Sequence, residues 1–74
     1  MQMNETVTQL DKFAAPYGRE VTLENVAYEN GMRVLRIHIR EGNRFTVMDI
    51  SEEVASQWSG AMSAWVEQAS AEDS

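Results

Sequence analysis

The chain has 74 residues, no cysteine and a formal net charge of −6. That length allows one domain whose single core leaves only a few kcal/mol of stability, which argues against a cleft enclosed on all sides. Without thiols there are no disulfides and no thiolate metal sites, and the acidic balance disfavours sequence-independent binding of nucleic acid, whose phosphates it repels.

The opening residues "MQMNETVTQL" show no basic leader, and no apolar run approaches the ~18 residues that a membrane span requires. The expectation is a soluble, cytoplasmic protein with no membrane segment. Charge is unevenly spread: Arg19, Arg33, Arg36, Arg40 and Arg44 supply five of the six bases. Residues 49–74 carry Asp49, Glu52, Glu53, Glu67, Glu72 and Asp73 with no base at all.

In chain order, residues 1–9 are polar and expected to form a mobile tail, 10–69 a single small domain, and 70–74 a mobile acidic tail. Ala15-Pro16-Tyr17-Gly18 has proline second and glycine fourth, which suits a type I turn. Ahead of it, Leu10, Phe13 and Tyr17 fit either a cover over one sheet face or an extra edge strand.

Two strands then flank Asn30-Gly31, a type I′ hairpin signal. The second of them alternates, with Leu35, Ile37 and Ile39 on one side and Arg36, His38 and Arg40 on the other. A two-residue turn sets Val26 opposite Leu35, yet extending that register mixes the faces. One extra residue near Glu24-Asn25 restores them, pairing Leu23 with Ile37 and Val21 with Ile39, so a β-bulge is expected there. Gly42-Asn43 predicts a second tight turn of type II′, pairing Arg40 with Phe45, His38 with Val47, Ile37 with Met48 and Arg36 with Asp49.

The inner face then consists of Val21, Leu23, Leu35, Ile37, Ile39, Met48 and Ile50. A helix capped by Ser51, with Glu52 and Glu53 at its positive end, offers Val54, Trp58, Ala61, Met62, Trp65 and Ala69 at helical spacing to cover it. The expected fold class is α+β, a three-stranded antiparallel β-meander with a bulge in its first strand, packed on one C-terminal α-helix in the order βββα.

Little in the sequence points to catalysis or to a cofactor. His38 is the only histidine, every serine lies in residues 51–74, and no phosphate-binding glycine motif occurs. "DISEE" lacks the alternating ligands of a calcium loop, so no metal site is expected.

The outer face is more suggestive. Val34, Arg36, His38, Arg40, Phe45 and Val47 combine aliphatic, aromatic and arginine side chains, the composition of an interface core. The expectation is a non-catalytic protein-interaction or accessory module that acts through this face on a partner protein, with a homodimer as one form. An alternative is a module that binds a small anion or single-stranded nucleic acid through Arg36, Arg40 and Arg44. Against it, Glu20, Glu24 and Asp49 are placed to pair with those arginines across strands. On the helix, Ser56, Gly60 and Ser63 form a side of small residues, with Gly60 costing roughly 1 kcal/mol relative to alanine.

Overall fold

The computed structural model describes residues 4–72. Its elements are β1 (Glu5–Ala15), β2 (Arg19–Tyr28), β3 (Arg33–Glu41), β4 (Arg44–Ile50) and α1 (Glu52–Glu72). The strands form one antiparallel sheet in the order β1-β2-β3-β4, so each strand pairs with its sequence neighbour. The class is α+β as expected, but the meander has four strands instead of three. No helix is long and apolar enough to cross a membrane among the described residues.

The fourth strand comes from the segment expected to be partly tail. Residues 5–9 are the first half of β1, which pairs with β2 from Glu5↔Tyr28 to Ala15↔Arg19 with a register shift between Gln9 and Asp11. Asn4 fastens its start: the Glu29 amide donates to the Asn4 carbonyl at 3.3 Å, and Asn4 Nδ2 donates to Glu29 Oε1 at 3.2 Å. At the other end the helix continues through residues 70–72, and residues 1–3 and 73–74 lie outside the described residues.

Two turns differ from expectation, each for a backbone reason. Tyr17 has φ 66°, which a type I turn does not allow at its third position and a type II turn requires. A bulky aromatic residue thus occupies a site that favours glycine. Its ring is exposed, with the Arg19 guanidinium 5.8 Å from the ring centre.

The β2–β3 ladder runs without interruption from Arg19↔Glu41 to Ala27↔Arg33, so the bulge expected at Glu24-Asn25 is absent. The extra residue sits in the turn instead. The Gly31 amide donates to the Tyr28 carbonyl at 3.0 Å, the Tyr28 amide donates to the Met32 carbonyl at 2.8 Å, and Gly31 takes φ 90°. This is a three-residue hairpin loop closed by a glycine bulge, with Asn30 Oδ1 accepting from the Met32 amide. Val26 therefore faces Val34, not Leu35, while Leu23↔Ile37 and Val21↔Ile39 pair as expected.

The β3–β4 register matches expectation throughout, from Leu35↔Ile50 to Glu41↔Arg44. Gly42 has φ 61° and Asn43 a negative φ, the combination of a type II′ turn.

Helix α1 begins as its cap residues dictate. The Val54 amide donates to Ser51 Oγ at 3.2 Å, and the Ala55 amide to the Ser51 carbonyl at 2.9 Å. Arg33 anchors this end to the sheet, donating from Nε to Glu52 Oε1 at 2.8 Å.

Docking is partial, which corrects the expectation of a core-facing stripe. Ala55, Trp58, Ser59 and Met62 line an open groove against Phe13, Val21, Leu23, Leu35, Ile37, Ile39 and Ile50. None of the helix residues is buried, and Trp65 is 70% exposed. Among the described residues the buried apolar set is Val26, Ile37 and Ile50. Ile37 and Ile50 lie under the helix start. Val26 lies on the opposite face, in a row Val7–Val26–Val34 across three strands, and is fully buried there.

Candidate functional site: the outer face of the sheet

Alternation along β2, β3 and β4 gathers the six expected site residues on the face away from the helix. Three cross-strand rows order them: Glu20–Arg40–Phe45, Thr22–His38–Val47 and Glu24–Arg36–Asp49. Val34 lies beyond the last row, beside Val26. Because the Gly42 turn fixes the register, Phe45 and Val47 stand two residues apart on edge strand β4, and they are 67% and 52% exposed.

Every cation in these rows has a carboxylate partner. Arg36 makes a fork to Asp49, with Nε–Oδ1 at 2.8 Å and an Nη–Oδ2 contact at 3.1 Å, and approaches Glu5 Oε1 at 3.8 Å. The hydrogen bond from Arg36 lowers the Asp49 carboxyl below its ordinary value and raises the guanidinium in turn. Arg40 lies 3.5 Å from Glu20 Oε1, which Lys12 also approaches at 3.7 Å.

His38 Nε2 and Glu24 Oε1 are 2.6 Å apart. The sequence places Glu24 near Arg36, and the ladder sets it opposite Arg36. That position is one row from His38, and the Glu24 side chain turns to the imidazole. The contact was missed because cross-strand pairing alone does not say which way along the sheet a long side chain turns.

The three arginines of the anion reading do not converge. Arg36 and Arg40 share the outer face, already paired, whereas Arg44 opposes Glu41 in the inward-facing set. Among the described residues Arg44 has no ion-pair partner. No group of three or more His, Asp or Glu side chains is arranged to hold a metal ion among them.

A model of one protein family, described as a family of unknown function (DUF6967), matches residues 4–68. The chain belongs to that family. The match runs from the residue preceding β1 through most of α1, so the family unit is the four-stranded sheet together with its helix. No curated protein and no solved structure matches the chain.

Between the cross-strand rows of the outer face lies a shallow depression, open to solvent and lined by Glu20, Thr22, Glu24, His38, Arg40 and Phe45.

Proposed function

We propose that the chain is a non-catalytic protein-interaction module that meets a partner protein with the outer face of its sheet, in the cytoplasm. The observation carrying this reading is the pairing of Arg36, Arg40 and His38 with Asp49, Glu20 and Glu24 beside exposed Phe45 and Val47. A partner can cover the apolar pair without leaving a buried charge unmatched, the usual large penalty at an interface. Phe45 is the anchor, and the ion pairs around it fix orientation and exclude nucleic acid through the fold's acidic balance.

The test replaces Phe45 with a photo-reactive phenylalanine analogue in the native cell and compares it with the same analogue at Gln57 on the helix. The expected result is a discrete cross-linked species, containing a different protein, at position 45 only. Adding Val47→Glu should remove it. Equal cross-linking at both positions overturns the outer-face reading.

A further inference from the structure

The inner side of the molecule is unfinished. A compact chain of this mass exposes about 4,600 Å², whereas this one exposes 6176 Å². Its radius of gyration is 15.3 Å, against about 11 Å for a compact domain of this length. Besides the bare outer face, two inner surfaces of the same chemistry contribute to the surplus.

One is the far half of α1. The helix rises about 31 Å over its length, and no residue beyond Met62 lines the groove under it. Trp58, Ala61, Met62, Trp65 and Val66 form a continuous apolar surface along the helix, of which Trp65 and Val66 lie beyond the groove over the chain's own sheet. The other is the sheet itself. The groove beside the helix start has room for about 350 Å³, and Phe13 and Met48 at the inner face are nearly half exposed.

We infer that these two surfaces are each other's complement, and that two copies of the chain pair reciprocally, the Trp65–Val66 end of each helix packing on the inner sheet face of the other. Area supports this occupant. The surplus is roughly 1,500 Å² per copy, so covering about half of it in each copy buries about 1,500 Å² in a pair, the size of a stable interface.

Charge supports the same geometry over a helix-to-helix pair. Helix α1 carries Glu52, Glu53, Glu67 and Glu72 and no base, so packing two such helices together sets like charges side by side. Packing the helix on the partner's sheet brings its acidic end to a face whose border carries Arg44. Neither Glu67 nor Glu72 nor Arg44 has an ion-pair partner among the described residues. The contact is self-complementary and closes under a two-fold axis, so it ends at two copies.

This surface is distinct from the outer face proposed for a partner protein, and the experiment separates them. Molar mass is measured by light scattering over a concentration series, at low and high salt, for the full chain and for Trp65→Glu, Val66→Glu and Phe45→Glu. Far-UV circular dichroism checks that each variant folds. The expected result is a dimer that persists in high salt, with the dissociation constant raised about 100-fold or more by Trp65→Glu. Val66→Glu should act in the same direction should Trp65→Glu disturb the helix, and Phe45→Glu should leave the dimer intact. A monomer at all concentrations overturns the inference and assigns the groove to another occupant. A dimer lost in Phe45→Glu but kept in both helix variants also overturns it, placing self-association on the outer face.

Discussion

Arg36 and Asp49 are joined by a two-pronged contact across β3 and β4, at 2.8 and 3.1 Å, and this fork holds the Asp49 carboxyl below its ordinary range. A carboxylate with a lowered folded-state pKa contributes stability that is present above the unfolded value, about 4, and is lost as pH falls through the folded one. The stability difference between the native chain and Asp49→Asn should therefore be constant above about pH 5 and shrink on acidification. Urea unfolding over a pH series reads this directly. A difference that persists unchanged down to about pH 2 would show that the fork acts by shape alone.

Val26 is fully buried although it lies on the face away from the helix. Val26→Ala should cost about 2 kcal/mol, by lost transfer energy and an unfilled space between Val7 and Val34. Phe45→Ala, at an exposed position of the same face, should change stability by no more than about 0.5 kcal/mol. Parallel urea denaturation of the two variants measures both, and equal losses would contradict this division of the outer face into a structural end and a contact end.

Ser51 caps the helix through the Val54 amide, and little else pins a helix that has no buried residue. Ser51→Ala should lower stability by about 1 kcal/mol. Far-UV circular dichroism on heating should show helix signal lost before the sheet melts, because the cap and the Arg33–Glu52 contact are its principal attachments at that end. Coincident melting would mean the groove contacts of Trp58 and Met62 hold the helix more firmly than the cap does.

Much of this arrangement could be read from the chain, in proportion to how locally it is determined. Gly42-Asn43 is a two-residue turn with one acceptable register, so every β3–β4 pair follows from it. Asn30-Gly31 admits both a two-residue turn and a three-residue loop closed by Gly31. The difference is one residue, and it moved the bulge from the turn into the strand. The Glu24–His38 contact was hidden for another reason, since Glu24 stands opposite Arg36 in either register and only its side chain turns to the imidazole. Strand β1 was legible only in its second half, where Leu10 and Phe13 supported an extra edge strand as one of two readings; residues 5–9 left little hydrophobic signature because they are exposed at the sheet edge. The helix stripe was legible as a face, but spacing alone names no cover for that face. Trp65 was accordingly assigned to a core that its own sheet does not extend far enough to supply.

The strand order β1-β2-β3-β4 repeats the order of synthesis. Each hairpin can close on the one before it, with short loops and no waiting for distant segments, which favours rapid folding. The helix comes last, and its exposed tryptophan surface later still. The pairing of the sheet therefore draws on no segment after Ile50, and the helix can dock on a sheet whose strands are already joined.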